Sequence, residues 1–333
     1  MALHEYLVGE VAQDWSDGLV SRREALRRLG LLGLSLPAGV ALLAGCGSER
    51  DTASSTGTTS TTGAPAVTPT STPGATTDTS GTEAAGTEPS TSEPSATGQA
   101  SDSGAASGLV EPISFPGPAG PLLGFYAQAA DSRGAVLVVH ENRGLTEHFE
   151  ELPARFAASG YSALAVDLVS RQGGTESFAD PGQVTAALGS SSEDDLLADL
   201  RAALDELARR QPDQRLAVVG FCFGGGQVWN LLEAGEPRLA AAVPFYGPGP
   251  DEPDFSGSTA AVLGVYAELD GRVNASMEAM EAALSAAGLS YEMRVFGGVD
   301  HAFFNDTGPR YDATQAEAAY EATIEWFDQY LAS

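Results

Sequence analysis

Cys222 stands in a setting that makes a thiol a nucleophile. It lies in Gly220-Phe221-Cys222-Phe223-Gly224-Gly225-Gly226, after the apolar run Leu216–Val219 and before a second apolar stretch. A strand, a sharp turn and a helix with small residues around one reactive side chain make a nucleophile elbow, here with Cys where Ser is more usual. The glycines fit because a side chain beside so tight a turn would collide with the chain crossing it, and the central residue takes strained backbone angles. A helix starting at Phe223 would turn that residue's N–H toward an oxyanion formed at the nucleophile. A second donor is expected from the loop after Ala135–Val139, near Asn142. A lone thiol is otherwise most often a buried, inert side chain.

A thiol with an ordinary pKa of about 8.5 is mostly protonated at neutral pH, so it needs a base. Elbow folds supply partners in the chain order nucleophile, acid, histidine. After Cys222 the chain has one histidine, His301, in Gly298-Val299-Asp300-His301-Ala302. The acid is expected at Asp270, in Glu268-Leu269-Asp270-Gly271. His140 competes for the role of base, although its place suits shaping the oxyanion loop, and Glu268 and Asp300 compete with Asp270. Such a set performs acyl transfer: thiolate attack, imidazole as acid and base, and an acid that holds the imidazole tautomer and stabilises its cation. No metal-ligand cluster and no phosphate-binding glycine loop is visible, so no metal or organic cofactor is expected.

These residues need a scaffold that brings strand ends together. Apolar, β-branched-rich runs recur at Ala135–Val139, Tyr161–Val166, Leu216–Val219, Ala240–Phe245, Ala261–Tyr266 and Tyr291–Phe296. Most are continuous rather than alternating, as in strands buried on both faces. Leu196, Leu197, Leu200, Leu204 and Leu207 predict an amphipathic helix over Glu193–Arg210. Asn274–Ala287 and Ala313–Leu331 read similarly, and Pro153 is expected to open the helix before Gly160. The alternation predicts an α/β fold, a doubly wound and mostly parallel sheet with ligands at the carboxyl ends of the strands.

Composition divides the 333 residues into three zones. Residues 21–30 read Ser-Arg-Arg-Glu-Ala-Leu-Arg-Arg-Leu-Gly and are followed by an apolar stretch ending in Leu43-Ala44-Gly45-Cys46. This resembles a twin-arginine export signal, with Arg22 and Arg23 as the pair, joined to a lipoprotein cleavage box whose Cys46 is lipidated. The alternative is an uncleaved anchor helix, for which the stretch is short. Residues 1–46 are thus expected to be a signal, leaving the rest tethered by lipid to the outer face of the membrane. Residues 47–108, nearly all Ser, Thr, Gly, Ala and Pro, predict a flexible linker. Residues 109–333 predict a single catalytic domain. The net charge of −28 excludes general nucleic-acid binding. All 17 basic residues are Arg, and the acidity suits solubility at high ionic strength. The two cysteines fall in different zones, so no disulfide framework is expected.

From about Phe115 to Leu331 the chain resembles the dienelactone hydrolase family, which has the α/β-hydrolase fold. The resemblance is carried by His140-Glu141-Asn142-Arg143-Gly144-Leu145, Asp167-Leu168-Val169-Ser170-Arg171, the Cys222 elbow, Asp270-Gly271-Arg272-Val273 and His301-Ala302-Phe303-Phe304. The His-Glu-Asn-Arg-Gly form looks like the exported branch. The resemblance implies a Cys222–His301–Asp270 triad cleaving an ester or lactone through a thioester. It also implies that Glu141 interacts with the resting thiol and takes its proton when substrate binds. Without that implication, Glu141 reads as a carboxylate paired with Arg143 or another arginine. Two family arginines hold the substrate carboxylate: one maps to Arg171, while the other would fall where this chain has Asn305, a gap that Arg143 would compensate. The expected partner is a small-molecule ester or lactone met by a monomer. A surface lipoprotein that only binds a ligand is the rival reading, and a redox-sensing Cys222 a third, though the domain has no resolving cysteine.

Overall fold

The computed structural model describes residues 3–53 and 109–331. Most of the expected linker, from 54 to 108, lies outside them, while residues 47–53 continue a helix that begins at Leu36.

The sheet has eight strands: β1 (Val110–Gly117), β2 (Gly120–Ala127), β3 (Ala135–Val139), β4 (Ser162–Val166), β5 (Leu216–Phe221), β6 (Leu239–Phe245), β7 (Ala261–Ala267) and β8 (Tyr291–Phe296). Their spatial order is β1-β2-β4-β3-β5-β6-β7-β8, with β3 to β8 all parallel. Every residue of β3, β4 and β5 is buried, which is why their sequences are apolar runs apart from Ser162 at the start of β4. The chain runs from β3 outward to β4, then returns past β3 to β5 and continues the other way. The order therefore reverses at β3 and β5, and the crevice beyond their carboxyl ends is where such a fold opens a ligand site.

The helices are α1 (Leu3–Ser16), α2 (Arg22–Leu31), α3 (Leu36–Ala53), α4 (Glu147–Ala158), α5 (Pro181–Ser190), α6 (Glu193–Arg210), α7 (Phe223–Glu233), α8 (Gly271–Asn274), α9 (Met277–Ala286) and α10 (Ala313–Leu331). In α6 the Ser192 side chain caps Asp195 N–H, acids fill the first turn and Arg209 and Arg210 the last. Both charge placements favour the helix dipole. α4 and α10 pack together through Phe156, Tyr320 and Phe327.

Three local expectations change. Pro153 does not open its helix: α4 starts at Glu147 after the N-cap Thr146, and the buried proline sits inside it. The helix expected over Asn274–Ala287 is α9, which starts only at Met277; a separate short helix, α8, precedes it because the Asp270 side chain caps Val273 N–H and starts a turn of its own. The β1–β2 hairpin was unmarked by apolar runs. It pairs antiparallel through a tight turn from Gly117 to Gly120, and β2 runs antiparallel to β4. Pro112 and Pro116 are tolerated in β1 because it is an edge strand.

The amino-terminal helices pack onto the domain that carries the sheet. Leu7 and Leu32 close over Gly189 of α5, and Arg27 of α2 pairs with Asp180, the N-cap of α5. Among the described residues no helix is long and apolar enough to cross a membrane.

Candidate active site

Cys222 occupies the elbow between β5 and α7 with φ 56° and ψ −118°, a left-handed backbone that a non-glycine residue adopts only under constraint. The constraint is close packing: a Cβ on Gly220 would run into the Gly224 carbonyl, and one on Gly224 into that of Val139. The Cys222 N–H donates to the Phe245 carbonyl at 3.0 Å, tying the turn to β6. The residue is 3% exposed, and Phe223 opens α7 beside it.

His301 and Asp270 arrive from the ends of β8 and β7. Nδ1 of His301 lies 2.6 Å from Oδ2 of Asp270, and the other Asp270 oxygen accepts the Val273 N–H at 3.1 Å. The carboxylate is thereby locked by its own helix turn. The competitors are otherwise engaged: Glu268 accepts from Gly298 N–H and Asp300 from the His301 backbone N–H. His301 Nε2 faces Cys222 and has no hydrogen-bond partner among the described residues. Burial by itself would favour a neutral ring. Interaction with the Cys222 sulfur and the hydrogen-bonded Asp270 carboxylate outweighs it and pushes His301 up to about 10.

His140 is structural. One ring nitrogen lies 2.7 Å from the Glu141 carbonyl and the other accepts the Leu168 N–H at 3.1 Å. Both partners fix the Nδ1–H tautomer, and complete burial pushes its pKa down. It therefore joins the loop after β3 to the loop after β4 instead of serving as base. On that loop Glu141 is buried and, among the described residues, pairs with no arginine. The Tyr246 hydroxyl donates to one oxygen at 3.2 Å and Asn305 Nδ2 to the other at 2.9 Å. Asn142 lines the cavity with its carbonyl bonded by Thr185 Oγ at 2.9 Å, which sets the orientation of its peptide. Tyr246 was missed by sequence reasoning. Its positive φ of 35° beside the elbow strand is not legible in the sequence.

The cavity over Cys222 and His301 measures about 200 Å³, with Glu141, Asn142, Arg143, Asn305 and Arg310 among its lining. Arg143 reaches it, whereas Arg171 does not: its guanidinium is bound to Asp199 at 2.7 and 2.9 Å and to Asp195 at 2.7 Å, holding α6 to the loop after β4. Arg310 was missed, since it lies nine residues past the histidine with no motif around it.

Three further groups come from the amino-terminal helix. The Tyr6 hydroxyl is 3.1 Å from Cys222 Sγ, a Glu10 oxygen is 3.6 Å from His301 Nε2, and Asp14 is 3.6 Å from Arg143. Donor atoms of Glu10, Cys222 and His301 lie within 4.8 Å of one another. A thiolate, an imidazole and a carboxylate form a donor set that zinc accepts, though Glu10 is already paired with Arg272. No motif could disclose this set, because Glu10 and Cys222 are 212 residues apart.

The model of the dienelactone hydrolase family matches residues 123–331. A "putative carboxymethylenebutenolidase" of Escherichia coli is 33% identical over 248 residues, covering 70% of this chain and 90% of the relative. The crystal structure of a "putative dienelactone hydrolase" from Klebsiella pneumoniae superposes with a TM-score of 0.59 at 31% identity, covering 67% of this chain and 99% of that one. A dienelactone hydrolase from Anabaena variabilis, 17% identical with a TM-score of 0.54, shares the fold.

Proposed function

The chain belongs to the dienelactone hydrolase family and is a hydrolase of the α/β-hydrolase fold; from that premise we propose that it cleaves a small ester or lactone through a thioester on Cys222. The observation that carries the reading is the 2.6 Å contact of Asp270 with a His301 imidazole that faces the elbow thiol.

With its proton passed to His301 Nε2, the Cys222 sulfur attacks the carbonyl carbon, and the oxyanion is held by the N–H groups of Phe223 and Asn142. The His301 imidazolium gives its Nε2 proton to the leaving oxygen as the C–O bond breaks. Water then attacks the thioester, losing a proton to His301, and the thiolate departs. Asp270 holds the Nδ1–H throughout and stabilises the cation. Glu141 serves in this reading as a second acceptor for the Cys222 proton, a role supported by its having two hydrogen-bond donors and, among the described residues, no paired cation. Arg143 and Arg310 on the cavity wall suit a substrate that carries an anionic group, a recognition that Arg171, bound to α6, does not supply. Replacing Cys222 by Ala is expected to abolish turnover of p-nitrophenyl acetate and of a dienelactone while leaving the melting transition intact. Retained turnover refutes the mechanism.

The Arg22-Arg23 motif and the Leu43-Ala44-Gly45-Cys46 box support an exported enzyme tethered by lipid on Cys46. Mass spectrometry of the mature amino terminus tests this. An unmodified Cys46 still joined to residues 1–45 in the cell envelope refutes it.

A further inference from the structure

Tyr6, Glu10 and Asp14 are spaced by four residues, so one stripe of α1 carries all three into the cleft. Tyr6 touches the sulfur of Cys222 and Glu10 stands against His301 Nε2. Its other oxygen pairs with Arg272, whose guanidinium also covers the Tyr6 ring at 4.7 Å. Asp14 reaches Arg143 and, at 3.4 Å, Arg310, which Asp17 also pairs. On the adjoining stripe Leu7 and Val11 are buried. The contacts are not those of a helix lying loosely on a surface. A carboxylate and a phenol are both desolvated here, which is unfavourable unless partners are ready for them, and the partners are the reactive groups and the arginines around them.

A substrate carbonyl must reach Cys222 Sγ, and its leaving oxygen must reach His301 Nε2. Both positions are filled. α1 also divides the cleft, with Glu10 lining the 200 Å³ cavity over the thiol and Tyr6 lining a 520 Å³ cavity beside Phe223 and Gln227. We propose that α1 is a built-in plug of substrate-like charge that keeps Cys222 latent in the full chain, and that lifting or severing the amino-terminal segment switches the hydrolase on. The inference rests on Cys222 being the nucleophile.

The plug is built into the segment that reads as a removable signal. Arg22 and Arg23 are exposed although one face of α1 and the Ala25–Leu29 side of α2 are buried, so the twin arginines remain readable while the plug is seated. Cleavage before Cys46 would turn an intramolecular contact, favoured by an effective concentration in the millimolar range, into a bimolecular one that dilution dissolves. Export and activation then become a single event.

The test uses the full chain with Cys46→Ser, so that Cys222 is its one thiol, with and without Leu7→Asp and Val11→Asp. The unseated variant is expected to be alkylated at Cys222 by iodoacetamide on the order of tenfold faster or more, and to turn over p-nitrophenyl acetate faster by a similar factor. A peptide spanning residues 1–31 should slow both. Equal alkylation rates in chains with intact melting transitions overturn the plug. Faster alkylation without turnover in either chain leaves the plug standing and refutes Cys222 as nucleophile; turnover in both at equal alkylation does the reverse. Should the variant not fold, a protease site placed within residues 54–108 and cut in the folded chain, with the amino-terminal fragment washed away, gives the same comparison.

Discussion

Asp270→Asn probes the one contact on which the chemistry most depends. The substitution keeps the shape of the side chain but removes the charge 2.6 Å from His301 Nδ1, where both side chains are 4% exposed. The rise of His301 from 6.5 to about 10 corresponds to at most about 5 kcal/mol of preference for the imidazolium. Because Cys222 shares in that rise, Asp270 accounts for about 2 kcal/mol of it. The sign follows from linkage: a histidine whose pKa is raised on folding adds stability that is full below pH 6.5 and is lost as pH climbs through about 10. The parent should therefore lose stability between those limits, and Asp270→Asn should start lower and fall less steeply. At about 2 to 4 °C per kcal/mol for a domain of this size, the melting temperatures should differ by roughly 4 to 8 °C at pH 6.5 and converge near pH 10. Catalysis should suffer more, because an amide can fix the wrong tautomer: kcat/KM for p-nitrophenyl acetate falls by about 10³ to 10⁴, measured in the Leu7→Asp and Val11→Asp background so that access is not limiting. A rate within tenfold of the parent, or melting curves that stay parallel from pH 6.5 to 10, would refute this account.

Arg171→Met is expected to cost about 2 to 4 kcal/mol by leaving the buried Asp199 carboxylate unpaired, with KM for an anionic ester unchanged; urea melts and Michaelis curves on one sample check both. Arg310→Met in the unseated background should raise KM for a carboxylate-bearing ester several-fold over that for its neutral counterpart, seen as a fall in the ratio of the two kcat/KM values. Tyr246→Phe leaves Glu141 with Asn305 as its remaining side-chain donor, so a stability loss of about 1 to 2 kcal/mol should accompany a changed pH profile of kcat. Gly224→Ala should destabilise by about 3 kcal/mol, at the upper end for overpacking, since its Cβ meets the Val139 carbonyl, a backbone atom with little room to move.

The parts of the fold legible in sequence are those where burial writes a pattern. β3, β4 and β5 are buried at every position and, apart from Ser162 at the start of β4, carry no polar side chain, because helices or other elements cover both faces, and α6 shows its stripe because only one face is covered. The β1–β2 hairpin escaped because it lies at the sheet edge, with prolines and glycines that sequence rules assign to turns. For the site, the elbow and the histidine and aspartate loops each announce themselves over a few residues. Arg171 illustrates the limit: its motif implies a substrate contact, yet Asp195 and Asp199, acids on a helix surface in the sequence, claim its guanidinium. Tyr6 and Glu10 mark another limit. An amphipathic stripe reveals that α1 packs on something but not that a thiol 216 residues away receives it.

His140 has a consequence outside catalysis. The Leu168 amide is protected by an imidazole nitrogen in place of a carbonyl, and an imidazolium cannot accept that proton. As burial pushes the His140 pKa below its ordinary value, Leu168 should exchange with deuterium slowly near neutral pH and lose protection in one step where the ring takes a proton. That single amide thus works as a spectroscopic gauge: its exchange rate reads out whether the loop bearing Glu141 and Asn142 is still pinned, with no substrate, label or turnover required.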